Sequence, residues 1–450
     1  MFWRPLCCAA LACILFLPPS VKAGETYSME RAVERALRQN PDVESARFTV
    51  QAAESARKAA RSSFGPTLDA NYSYSRYSKD RPSRYEPNVT TMTVQASQPL
   101  FTGFNLLNTY QKAALEVERQ QLQLEAQRLS VVAGVQEAFV SYLKALASIS
   151  STQRSLERAK MQLNMARTAW NIGLRPRLDV LQAETDLAQT EALLISYEND
   201  RDVWMTRLNT LLDLPPDARV EYRGDLDISP FGRTLEYCLR QALEHRPDLL
   251  MAKKSVEIAF KDLGITKSLF WPQVSAIVGW STTGSHLDAA GSRYTQKDYS
   301  YGEIGLSVNW TLFSSGRRAY LTQQAKRQIS ALEAAVRSSV NNCAYAVRSS
   351  LLSTQDAYRS VKVSQRAVAS ARESYEDAKM RYELQSGSYL DLLTAQSALS
   401  DAELAEISSR ADCLIALSSL YETMGELHPD LQDNRPAGDG EKNRQENVRP

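Results

Sequence analysis

Two stretches of this chain repeat one another over nearly its whole length, and that repeat constrains the fold more than any single motif does. Ser28-Met29-Glu30 with Ala36-Leu37-Arg38-Gln39-Asn40-Pro41-Asp42 returns 206 residues later as Thr234-Leu235-Glu236 with Ala242-Leu243-Glu244-His245-Arg246-Pro247-Asp248. Phe64 and Pro66 return as Phe270 and Pro272 at the same offset. Farther on the offset becomes 212: Ile149, Leu156, Leu163 and Trp170 match Val361, Val368, Tyr375 and Tyr382. Leu178-Asp179-Val180-Leu181 matches Leu390-Asp391-Leu392-Leu393, and the register persists through Leu208 and Leu420. The extra six residues fall between Pro272 and Leu312, in one loop. The chain is a tandem duplication, so each half is expected to build the same set of elements.

The first 23 residues read as a secretory signal, with Arg4, an apolar run from Leu6 to Leu17, and Val21-Lys22-Ala23 ending in a small residue. The run is too short to span a bilayer. Cys13 after Ala10-Leu11-Ala12 leaves a lipoprotein alternative open, although the apolar core continues past that cysteine. Loss of Arg4 and Lys22 changes 53 Lys+Arg against 52 Asp+Glu into an excess of one acid. That balance argues against nucleic acid as a partner. Cys238, Cys343 and Cys413 form neither a disulfide framework nor a zinc pattern, and are expected as small buried helix residues. The three histidines, His245, His286 and His428, are far apart. No phosphate loop, His-Glu-x-x-His or nucleophile elbow occurs, so an enzyme, a cofactor and a metal site are all unexpected.

Each half opens with an amphipathic helix, capped by Ser28 or Thr234 and interrupted near Pro41 or Pro247. A hairpin is expected at 67–100 in the first half, where Leu68, Ala70, Tyr72 and Tyr74 alternate with polar residues, followed by Met92, Val94 and Ala96. A second is expected at 273–313, with alternation through Val274, Ala276, Val278 and Trp280, and from Ile304 to Leu312. Strands of roughly ten residues suit a tilted membrane strand. Long helices are expected over 105–171 and 318–384, roughly 100 Å each. Apolar residues recur there every seven positions, as in a coiled coil. Turns around Gly173 and Gly387 reverse the chain into return helices over 178–213 and 390–424. Segment 214–233 links the halves and is expected to pack around the middle of the long helices, and 427–450 is expected to be disordered. The mature chain holds no run of eighteen apolar residues, so no membrane helix is expected.

The fold class is therefore mainly α with a membrane β-barrel part. Four strands cannot close a barrel, and unpaired edges are intolerable in lipid, so several chains must pool strands. A soluble coiled-coil scaffold with a small capping sheet is the alternative that periodicity leaves open.

Five features then carry a resemblance: Ala36-Leu37-x-x-Asn40-Pro41, its copy ending Arg246-Pro247, Pro99-Leu100-Phe101-x-Gly103, its copy Leu312-Phe313 to Gly316, and Trp170-x-x-Gly173-x5-Asp179-Val180. Over about residues 26–426 the chain resembles the TolC family of outer-membrane export channels. The resemblance implies a homotrimer with a twelve-stranded barrel among outer-membrane lipid and a helical tunnel through the periplasm. It implies a passive duct recruited by a periplasmic adaptor and an inner-membrane pump or ABC exporter, for small-molecule efflux or alternatively type I protein secretion. It places Asp391 in an acidic ring at the channel entrance, with Asp179, Arg175 and Arg177 as further gating candidates. Gly173, Leu174, Leu178, Gly387, Ser388 and Leu390 become the turns that meet the adaptor. The chain departs from the family pattern at Gln385, where glycine is expected, at Gly387, where some members carry a basic residue, and at Thr394, where a second acid is frequent.

Overall fold

The computed structural model describes residues 26–78, 88–228, 231–289 and 299–427. The expected signal segment with Cys13, and the tail from 428 onward, lie outside the described residues. The chain divides into two compact units: one comprises Met1–Val43, Arg128–Leu235 and Arg348–Pro450, the other Glu44–Gln127 and Glu236–Val347.

In chain order the elements are β1 (Thr26–Tyr27), α1 (Met29–Gln39), α2 (Pro41–Ser62), β2 (Thr67–Arg76), β3 (Asn88–Phe101), α3 (Asn105–Asn171) and α4 (Arg177–Leu211). There follow β4 (Glu221–Tyr222), α5 (Leu235–His245), α6 (Pro247–Ser268), β5 (Gln273–Gly284), β6 (Tyr299–Asn309), α7 (Arg317–Glu383) and α8 (Tyr389–Met424).

In the first unit, Asn40 explains the break before Pro41. Its Oδ1 accepts from the Asp42 amide at 2.9 Å and caps α2, while its Nδ2 donates to the Leu211 carbonyl at 3.0 Å. Proline at the first helical position loses no helix hydrogen bond. Its copy in the second unit, Arg246, has no side-chain acceptor and instead pairs with Asp248 at 2.8 Å. Two-residue strands β1 and β4 pair in parallel, a bridge too short to leave a sequence signal. It brings Tyr222 from the linker segment against Phe139 and Tyr142 near the middle of α3, where its hydroxyl donates to Asn209 Oδ1 at 2.8 Å. The seven-residue spacing survives on α7, where Val361, Val368, Tyr375 and Tyr382 are all buried. On α3 it breaks at the end: Leu163 is buried, but Trp170 is 44% exposed.

In the second unit, β2, β3, β5 and β6 form one antiparallel sheet in that order, so the two hairpins pair through β3 and β5. Residues directly opposite share a face, and the register sorts the side chains by chemistry. Leu68, Ala70 and Tyr72 lie opposite Ala96, Val94 and Met92, and Val94 and Ala96 lie opposite Trp280 and Val278. Val278, Ala276 and Val274 continue to Ile304, Leu306 and Val308. The other face carries Thr91, Thr93, Gln95, Ser281, Thr283, Glu303 and Ser307 together with Ile277 and Tyr301, with a hydroxyl pair between Thr93 and Ser281 at 3.4 Å.

The last strand ends at Asn309, short of the expected 313. Trp310 instead donates to the Phe270 carbonyl at 3.2 Å, and Arg318 binds the Leu312 carbonyl at 2.9 Å, so local bonds outside the ladder hold this segment. Gly103 takes a φ of 63°, and a Cβ there would meet the Ser268 carbonyl at 2.8 Å, which accounts for glycine at the end of the Pro-Leu-Phe motif. Among the described residues Cys238, Cys343 and Cys413 form no disulfide and are buried on helices. Among the described residues one helix, α3, is long and apolar enough to cross a membrane by length and composition, although it holds no unbroken run of eighteen apolar residues. Its most apolar window is 61% buried inside the protein, as a core helix would be.

Candidate functional site

The two turns that reverse the long helices are built alike. Helix α3 ends with Gly173 at φ 75°, and the Leu174 amide reaches back to the Ala169 carbonyl at 2.9 Å. Helix α7 ends with Gln385 at φ 62°, and the Ser386 amide reaches back to the Arg381 carbonyl at 2.9 Å. Both are left-handed helix terminations, normally glycine positions. Gly387 has a separate role: a Cβ there would lie 3.1 Å from the Arg381 Cβ.

After the turns the two copies diverge. Helix α4 starts at Pro176, which caps nothing with its side chain, whereas α8 starts with Ser388. The Ser388 hydroxyl accepts from the Asp391 amide at 3.1 Å, and the Asp391 carboxylate accepts from the Ser388 amide at 3.3 Å, closing a reciprocal capping box. Asp391 is exposed, and its bonds to Ser388 hold its carboxyl below the usual value. Asp179, at the matching position, is 7% exposed. Burial pushes its carboxyl up, partly offset by the charge of Arg175.

Arg175 joins the turns. Its guanidinium carbon lies 4.7 Å from the centre of the Tyr382 ring, and Nη2 donates to the Gly387 carbonyl at 3.0 Å. Tyr382 in turn meets Tyr389 edge-on at 5.6 Å, and both hydroxyls are buried without hydrogen-bond partners. Burial raises the Tyr382 phenol, and the nearby Asp179 carboxylate raises it further. Beneath lies a small core of Leu163, Ala166, Val180, Ala183, Leu392 and Leu399. Glu184 pairs with Arg167 across the first turn at 2.7 Å, and Arg381 pairs with Asp377 at 2.8 Å.

Among the sequence candidates, Arg175 and Gly387 are in direct contact, Asp179 feels the Arg175 charge, and Ser388 and Asp391 bond to each other. Arg177 is exposed at the start of α4. Leu174, Leu178 and Leu390 are 55%, 59% and 58% exposed, beside exposed Ile172, Leu181 and Leu384, so both turns present apolar side chains outward. Sequence reasoning did not single out Tyr389, or Tyr382 as a site residue. The signal was present in the seven-residue stripe that ends at Tyr382.

The family model described as outer membrane efflux protein matches residues 32–213 and 238–426. The chain is 23% identical over 434 residues to the outer membrane efflux protein BepC of Brucella suis, covering 94% of this chain and 91% of that protein. It is 23% identical over 417 residues to the outer membrane protein TolC of Escherichia coli, covering 90% and 83%. Among solved structures, the CmeC outer membrane channel of Campylobacter jejuni has a TM-score of 0.78 at 18% identity, covering 93% of this chain and 88% of that one.

Proposed function

The chain belongs to the outer membrane efflux protein family, and we propose on that premise that it is the outer-membrane duct of a tripartite exporter, carrying small molecules that an inner-membrane pump delivers through a periplasmic adaptor. The observation that carries the reading is the two-faced sheet. Aliphatic and aromatic residues predominate on one side across all four strands, with Thr90, Gln98, Thr282 and Ser300 among them, while hydroxyls, the amides of Asn71 and Gln95 and the carboxylates of Asp69 and Glu303 predominate on the other, with Ile277 and Tyr301 among them. A sheet with one side in lipid and the other facing a wet lumen needs that division.

Among the described residues the outer strands β2 and β6 each have one edge with no strand beside it. In hydrocarbon those edges must be satisfied, and a neighbouring copy offers the complementary edge. Three copies give a barrel of twelve strands, and a homotrimer is the state proposed. The chain then needs no catalysis of its own; its work is to open and close. The turns are proposed as the periplasmic end. Arg175, bound to Tyr382 and Gly387, holds the first turn to the second, Asp391 supplies negative charge at the entrance, and the outward leucines offer an apolar contact to the adaptor.

Purified protein in planar bilayers tests this, with chemical crosslinking to count subunits. A trimer passing a small, cation-selective current supports the duct. A species that stays in solution and never inserts returns the soluble scaffold as the better account.

A further inference from the structure

In the second unit, at one end of the sheet, β2 follows α2, β3 runs into α3, β5 follows α6 and β6 leads to α7. Side-chain contacts tie these junctions into one rim. The Gln98 amide donates to the Phe64 carbonyl at 2.8 Å, and Asn105 donates to the Ser268 hydroxyl at 3.2 Å. Phe101, opposite Val274 on the apolar face, meets Trp271 and Phe104 edge-on, with ring centres 6.5 and 5.7 Å apart. Trp271, Trp310, Leu312 and Phe313 are exposed there, so the apolar face ends in an aromatic belt.

The charge of the rim is one-sided. The chain segments through these junctions, 61–68, 96–115, 263–286 and 304–332, contain no Asp or Glu. Near the junctions they carry Arg61, Lys112, Lys267, Arg317 and Arg318. Two of these are committed inside the protein: Lys112 pairs with Asp262 at 2.7 Å, and Arg318 donates to the Leu269 and Leu312 carbonyls at 3.1 and 2.9 Å. Arg61, Lys267 and Arg317 are exposed and form no ion pair among the described residues. Arg61 and Lys267 are repeat partners, each three residues before an exposed phenylalanine, Phe64 or Phe270. Both close a helix, where the helix dipole alone favours a cation. Arg317 opens one: it is the first residue of α7, whose first turn holds no acid, and there the dipole disfavours positive charge. Helix stability does not account for it.

We propose that this rim binds anionic phospholipid headgroups, an inference that rests on the lipid-facing reading of the sheet. Aromatic rings at the end of an apolar face lie at headgroup depth, and arginine and lysine reach from there to lipid phosphate. A headgroup beside Arg61, Lys267 or Arg317 meets positive charge that no nearby carboxylate offsets, each such base favouring an anionic lipid by about fivefold. A free phosphate ion has no acyl chain to lay on the aromatic belt, so the lipid is the occupant. Repeated in every copy around a closed barrel, the three bases form a ring that selects its lipid by charge.

The test is quenching of tryptophan fluorescence in full-length protein reconstituted into phosphatidylcholine vesicles that contain either brominated phosphatidylglycerol or brominated phosphatidylcholine. Averaged over the surrounding lipid, phosphatidylglycerol is expected to be preferred by about twofold. The preference falls with added sodium chloride. It is reduced in Arg317→Gln, lost in the variant combining Arg61→Gln, Lys267→Gln and Arg317→Gln, and kept in Lys160→Gln, an exposed lysine of the other unit. Equal quenching by the two brominated lipids, or a preference unchanged in the combined variant, overturns the proposal and leaves the membrane reading standing. Quenching by neither lipid overturns both. A preference erased by inorganic phosphate but not by chloride of equal ionic strength also overturns it, because the rim then takes the free ion.

Discussion

Arg175 lies over the Tyr382 ring at 4.7 Å and donates to the Gly387 carbonyl at 3.0 Å, so one side chain of the first turn grips both the last buried residue of α7 and the backbone of the second turn. The absence of a basic residue at position 387 is therefore matched by a basic residue reaching position 387 from the other repeat.

Arg175→Ala is expected to loosen the turns without unfolding the chain. A half-buried cation over a ring, with one charge-assisted bond, contributes about 1–2 kcal/mol. Amide exchange in segments 172–178 and 384–390 should quicken about tenfold by mass spectrometry. Arg175→Lys should recover only part of the protection, since lysine lacks the planar fork. Unchanged exchange in both segments would show that the contact holds nothing.

Gln385 sits at φ 62° where its repeat partner Gly173 sits at φ 75°. A left-handed residue with a Cβ costs about 1 kcal/mol relative to glycine. Gln385→Gly should raise stability by about that amount, and Gly173→Ala should lower it by a similar amount. Denaturant midpoints read the pair, and a loss of stability in Gln385→Gly would contradict the strain.

Asp179 and Asp391 occupy matching positions yet shift in opposite directions from 3.8. The lowered Asp391 value stabilises the folded state above the unfolded value, and that contribution is lost as pH falls through the folded one. The raised Asp179 value favours the folded state below 3.8 and loses that advantage as pH rises through its folded value. At neutral pH Asp391→Asn should therefore destabilise and Asp179→Asn should stabilise. Both differences should close as the pH drops below 3.8. Melting curves of the three proteins between neutral and acid pH check the signs.

The sheet faces give a pair of opposite substitutions. Leu306→Arg puts a charge on the apolar face, at a cost of about 2–4 kcal/mol if it meets the middle of a bilayer. Ser307→Arg puts the same charge on the polar face and should be tolerated. Flotation of membrane-inserted protein after expression distinguishes them, and equal insertion of both would argue against a lipid-facing side.

The repeat, the strand alternation and the seven-residue stripe made much of this architecture legible, because duplication and periodicity are properties of the chain itself. The positions of the turns were also legible, since Gly173 and Gly387 break two long periodic runs. The different fates of Asp179 and Asp391 were not. Both stand third in a helix after a turn, and only packing buries one beside Arg175 and leaves the other in a capping box with Ser388. The β1–β4 bridge escaped because two residues carry no period. The expected strand residues Trp310 and Leu312 fell outside the ladder because the partner strand β5 begins at Gln273, opposite Asn309, and the Leu312 carbonyl is taken by Arg318.

The central claim, that copies of this chain close a tip-gated duct, is tested most directly by single-channel recording of crosslinked trimer, native against Arg175→Ala. The account expects a small, cation-selective conductance in the native protein that rises when Arg175 is removed. Protein that fails to insert, or a conductance indifferent to Arg175, contradicts it.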